Sequence, residues 1–183
     1  MRSYSKQNLL QRDLEMMPNG KVGFLNRIAY KMYKSLKVKY EIEIPKSIYL
    51  RGIAFCEDFS ERYGYDLTPS ELIFALYSAF IARIRRENDL DVIYTQYMLR
   101  MQEQEIYKSR KNDKYIELDV FMEHDLALRG EMALADMDTH VPNHPLTIEK
   151  ILEIEFIFCV TECQKGSKNH KNLMKEMISY LEE

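Results

Sequence analysis

Glycine and proline are scarce in this sequence, six and five in 183 residues. An all-β chain needs many tight turns, so that class is excluded. Little glycine also leaves little from which to build a phosphate-cradling loop, and neither the Walker pattern nor G-x-G-x-x-G occurs. Three cysteines, Cys56, Cys159 and Cys163, are an odd number and cannot complete a disulfide framework. No uninterrupted apolar stretch reaches membrane-spanning length, and the first forty residues hold no apolar run of the kind that leads a secreted chain. Reduced thiols in a cytoplasm, away from membranes, are therefore expected. The G-x-S-x-G elbow, the H-E-x-x-H zinc helix and an acid-x-Lys step are missing as well. With no catalytic or cofactor motif recognised, the sequence points to a protein that is not an enzyme and holds no cofactor.

What is present is a chain able to build a core: 46% of its residues are hydrophobic, spread throughout the length of a single domain, residues 1–183. Residues 4–17 read as an amphipathic helix with Leu9, Leu10, Leu14 and Met17 on one side, stopped by "PNG". Val22, Leu25, Ala29, Met32 and Leu36 recur at three and four, a helical stripe that predicts an apolar face turned inward and a basic face turned outward. "KVKYEIEIP" alternates instead, with Val38, Tyr40, Ile42 and Ile44 on one face. "YIELDV" alternates too, so residues 38–44 and 115–120 can pair as a small two-stranded β-ribbon. A helix over 47–63, with Ile48, Leu50, Ile53, Ala54 and Phe59 toward the core, is closed by Gly64. "TPSE" at 68–71 has the form of a capping box with proline in the first turn, and it opens a helix apolar on nearly every side. Further helices are expected near 90–109, 121–137, 147–165 and 170–182. The fold class is thus mostly α, one domain of about seven helices with room for that single ribbon.

Charge is unevenly laid out. Residues 1–40 hold nine Lys/Arg and two Asp/Glu, whereas 41–183 hold 17 bases against 27 acids. A basic N-terminal region and an acidic body can each meet a partner of opposite sign, or can attract each other, within one copy or between two. The basic candidates for contact with nucleic acid or another polyanion are Arg2, Lys6, Arg12, Arg27, Lys31 and Lys34, with Tyr30 placed to stack. The acidic candidates for contact with a partner are Asp119, Glu123, Asp125, Glu131, Asp136 and Asp138, set against Arg129 alone. His124, between Glu123 and Asp125, reads as a surface histidine. Thirteen tyrosines and eleven methionines suit interfaces as well as cores. They crowd the helix near 90–109, where Tyr94, Tyr97, Met98, Met101 and Tyr107 are candidates for self-association into a homodimer.

The stretch "DMDTHVPNHP" offers the ligand types that zinc or manganese accepts, and His140, His144, Cys159 and Cys163 would make a His2Cys2 set. Against this, Pro142 and Pro145 break the helix that would align the histidines. Both cysteines also fall on an apolar stripe with Leu152 and Phe156, where a free cysteine is a small core residue. The expectation is an ordinary loop. Three functional readings remain in order: a regulator or inhibitor, of the type a phage or mobile element carries, that binds a larger protein or protein–nucleic acid assembly such as a nuclease; a direct nucleic-acid binder; and a metal-dependent enzyme using residues 136–144.

Overall fold

The structure, a computed structural model, describes residues 2–17, 24–87, 89–108 and 114–164; the side chains of 24–27, 106–108 and 164 are not among those described. The expected helix over 170–182 and the side chains of Val22, Leu25, Arg27 and Tyr107 therefore lie outside the described residues. Within them, seven helices and one antiparallel pair of strands follow in the order α1 (Leu9–Met16), α2 (Phe24–Lys34), β1 (Lys37–Pro45), α3 (Lys46–Tyr63), α4 (Pro69–Glu87), α5 (Leu90–Lys108), β2 (Tyr115–Glu123), α6 (His124–His140) and α7 (Ile148–Gln164).

The ribbon pairs from Lys37 opposite Glu123 to Pro45 opposite Tyr115. Its inner face sets Val38, Tyr40, Ile42 and Ile44 against Met122, Val120, Leu118 and Ile116, and all four β1 side chains are buried. Such aliphatic cross-strand pairs hold a ribbon too small to stand alone, and its apolar side packs on α4 and α7. Alternation continues through Met122, which is why β2 runs to Glu123 and α6 begins at His124, three residues later than the sequence predicts.

Helix α7 is the axis of the core. From Ile148 to Thr161 only Lys150 and Phe158 escape full burial, and α3, α4, α5, α6 and β1 all pack around it. Helix α4 is nearly as enclosed, as its composition predicts, and its capping box is present: Thr68 N–H donates to Glu71 Oε2 at 2.8 Å and Glu71 N–H to Thr68 Oγ1 at 3.3 Å. Gly64 closes α3 in the left-handed region at φ 75°. The buried stripe of α3 is Ile48, Gly52, Cys56 and Phe59, while Leu50 and Ala54 face outward. Gly52 is required there, because a Cβ would stand 2.4 Å from Phe156 Cζ.

The N-terminus departs from the sequence reading. Helix α1 starts only at Leu9, since the Ser5 hydroxyl accepts the amides of Gln7 (3.0 Å) and Asn8 (3.1 Å) and offers the chain an alternative to helix. Residues 2–8 form a strap across the rest of the fold. Tyr4 C=O accepts the Ile148 amide at the head of α7, and Lys6 N–H donates to Glu149. Leu14 and Met17 are exposed.

Candidate functional site

Apart from Arg27, whose side chain is not among those described, the charged residues singled out in the sequence can be followed to their places. Basic and acidic candidates meet one another: Arg2 binds Asp138 at 2.8 Å and Lys34 lies 3.4 Å from Asp125, while Lys37, not itself a candidate, lies 3.9 Å from Glu123. Lys39 reaches Asp119 at 2.9 Å. Much of the charge asymmetry is thus internal attraction between the N-terminal region and the body. Lys6, Arg12 and Lys31 stay exposed.

Helix α2 does not turn its apolar stripe inward as predicted: Ala29 is exposed, and Lys31 faces outward as expected while Lys34 turns in. Ile28, Met32 and Leu36 are exposed, Met32 by 66%, while Tyr30, Tyr33 and Lys34 are half-buried. The cause is a pair of buried polar groups beneath the helix. Asp13 and His124 are almost fully enclosed, with His124 Nε2 3.1 Å from Asp13 Oδ1. Such groups are costly to leave without polar neighbours. Tyr30 donates to Asp13 Oδ2 at 3.3 Å, Tyr33 lies edge-on to the His124 ring, and Lys34 stands 4.0 Å from Asp13. His124 is therefore a core histidine, not a surface one.

Glu131 also leaves the proposed acidic face, for it is fully buried. Its carboxylate accepts the amides of Leu9 (3.0 Å) and Leu10 (2.8 Å) and the Ser5 hydroxyl. It thereby caps the first turn of α1, for which Asn8 supplies no side-chain cap. Tyr97, expected at a self-association surface, is likewise fully buried. Its hydroxyl donates to Glu155, which Arg100 also binds at 2.8 Å and Arg83 approaches at 3.6 Å. Burial first, and Glu155 second, push the Tyr97 phenol well above its ordinary range. Tyr94, Met98 and Met101 are half-buried, and among the described residues the large apolar α5 side chains that face outward are Val92 and Leu99.

The His2Cys2 set does not assemble. Asp136, Asp138 and His140 form the last turn of α6, and the loop is confined to 141–147. His144 is buried and uses both ring nitrogens on backbone: Nδ1 accepts the Leu146 amide at 3.2 Å, which leaves Nε2 to donate to Leu134 C=O at 2.9 Å. Cys159 and Cys163 turn to each other. That hydrogen bond raises the Cys159 thiol, which burial raises further, and lowers the Cys163 thiol. Among the described residues no group of three or more His, Cys, Asp or Glu is placed to hold a metal ion.

What the structure does assemble is a negative surface on the outer face of the ribbon. Glu41 stands opposite Asp119 and Glu43 opposite Glu117, all exposed, with the Lys39 amine set between Glu41 (3.0 Å) and Asp119 (2.9 Å). Glu41 and Glu43 also line a cleft of about 420 Å³ against Glu149 and Glu153 of α7, where Lys6 and Lys150 are the bases. Alternation in "KYEIEIP" and "YIELDV" places these acids on one face, so Glu41, Glu43 and Glu117 were legible as neighbours once the ribbon was assumed.

Comparison of the chain with family models, with curated proteins and with solved structures finds no match in any of the three. Among the described residues no helix is long and apolar enough to cross a membrane.

Proposed function

We propose that this protein acts by binding, not by catalysis, and regulates or inhibits a larger partner by laying its acidic ribbon face against a basic surface of that partner. A basic nucleic-acid-binding channel, as on a nuclease or another nucleic-acid-handling assembly, has the complementary charge. The observation that carries this reading is the placing of Glu43 opposite Glu117, beside the Glu41 and Asp119 pair that Lys39 bridges. Like charges directly across a ribbon oppose its pairing. A cationic surface docked there relieves the repulsion, and the adjoining cleft with Glu149 and Glu153 has room for a lysine or arginine side chain. Direct nucleic-acid contact through the N-terminal bases has weaker support, because Arg2 and Lys34 are engaged by Asp138 and Asp125.

The test is affinity capture from a host lysate, with and without nuclease treatment, comparing the native chain with Glu43→Lys/Glu117→Lys. The expected result is a stoichiometric protein partner that survives nuclease, is released by high salt and is not retained by the variant. Equal retention by the variant, or loss of everything captured once nucleic acid is digested, would refute the reading.

A further inference from the structure

We propose that the pocket between α4, α5 and α6 is a second docking site, one that takes a single apolar anchor side chain of a partner protein carrying a carboxylate beside it. The pocket measures about 240 Å³, with Ile81 and Ile84 of α4, Leu90 of α5 and Met132 of α6 supplying its apolar walls. Small-molecule sites usually run to roughly 300–1,000 Å³, so this one is sized for a leucine or phenylalanine side chain. An anchor residue seated in such a pocket is the usual centre of a protein–protein contact. Met132 is 48% exposed, and its unbranched thioether can adapt to the shape of what enters.

Charge at the rim selects the occupant. Arg85 and Arg129 both line the pocket, and neither has a carboxylate partner among the described residues. Arg2, Arg83 and Arg100 each have one, so the rim arginines stand apart from those used by the fold. Among the described residues Asp136 is the only acid in the lining. Of the other acids beside Leu90, Asp89 accepts the Val92 amide at 3.1 Å and Asp91 stands 3.9 Å from His140. Two guanidiniums over one carboxylate favour an acidic residue next to the anchor. Arginine suits this because its donors match a carboxylate in pairs.

The site is separate from the ribbon face. The Ser70 hydroxyl at the head of α4 binds Asp119 C=O, and Arg85 lies about 22 Å further along that helix at about 1.5 Å per residue. The inference therefore does not rest on the ribbon reading. Its test is nuclear magnetic resonance on the full chain carrying ¹³C-methyl methionine, with the Met132 methyl assigned through Met132→Leu. The probes are N-acetyl-Phe-Asp-amide and its Asn and Lys counterparts. The Met132 signal should shift saturably with the Asp peptide. Binding should be about five-fold weaker for the Asn peptide, and weaker by a like factor for Arg85→Gln/Arg129→Gln with the Asp peptide. The ribbon variant Glu43→Lys/Glu117→Lys should respond like the native chain. An unmoved Met132 methyl, equal binding of all three peptides, or loss of the response in the ribbon variant would each overturn the proposal.

Discussion

Acidic side chains inside this molecule and acidic side chains on its ribbon are treated in opposite ways. Glu131 and Glu155 are both buried, and each is surrounded by donors: two amides and a hydroxyl for the first, an arginine hydrogen bond and a phenol for the second, with another arginine beside it. Glu41, Glu43, Glu117 and Asp119 are exposed and face one another, with Lys39 set between Glu41 and Asp119. Burial makes every acceptor count, because a carboxylate withdrawn from water without donors is too costly to keep. Solvent imposes no such demand, so the arrangement outside is free to answer to something other than folding. The comparison separates carboxylates that build the fold from those available to a partner.

The largest effect belongs to the inner class. Glu131→Ala removes one acceptor group from two backbone amides and one hydroxyl, all in the enclosed joint between the strap, α1 and α6. Each stranded donor costs about 1–3 kcal/mol, and water entering the vacated space recovers part of that, so the chain should lose about 3–5 kcal/mol. Denaturant unfolding would show it as a lower midpoint. A loss under 1 kcal/mol would mean that Glu131 does not hold α1 in place.

A buried acid that has no cation beside it sharpens the same point. Burial, followed by the nearby Glu71 and Glu57, pushes the Cys56 thiol from 9.0 to about 12. The unfolded chain releases this proton near 9 while the folded chain keeps it, so the unfolded state binds fewer protons between those values and stability falls as pH rises. The slope approaches about 1.4 kcal/mol per pH unit for one group. Thermal melts from pH 9 to 10.5 should show a decline that is shallower in Cys56→Ala, after allowance for that variant's lower baseline. Parallel declines in the two proteins would remove Cys56 from the explanation.

The inner class was partly readable in the sequence and the outer class mostly so, provided the right period was applied. Helical spacing puts His124, Ala127, Glu131 and Leu134 on one stripe, three and four apart, so two polar residues lay on an apolar face and both are buried. Counting them instead among their acidic neighbours along the chain led to a surface assignment. Asp13, four residues from Leu9, repeats the pattern on α1. The outward turn of the α2 apolar stripe was not readable, because its cause is long-range: Tyr30, Tyr33 and Lys34 face Asp13, His124 and Asp125, and that need outweighs the preference of Met32 and Leu36 for the interior. The ribbon and the α4 cap rest on local rules and appear as the alternation and "TPSE" require. The Arg85–Arg129 rim joins residues 44 positions apart, from two helices whose packing no local pattern reveals.

The smallest effect distinguishes the outer class most directly. If the ribbon acids serve a partner and not the fold, making them neutral should cost the fold nothing. Glu43→Gln/Glu117→Gln keeps size and polarity at a directly opposed pair while removing the repulsion, so the free protein should gain a few tenths to about 1 kcal/mol. The gain should shrink as added salt screens the native charges. Any partner held through that face should bind the variant less well, even though the variant is the more stable protein. A pair that instead loses stability on neutralisation would place these two carboxylates with Glu131, as parts of the scaffold, and the distinction between the two classes would not extend to the ribbon.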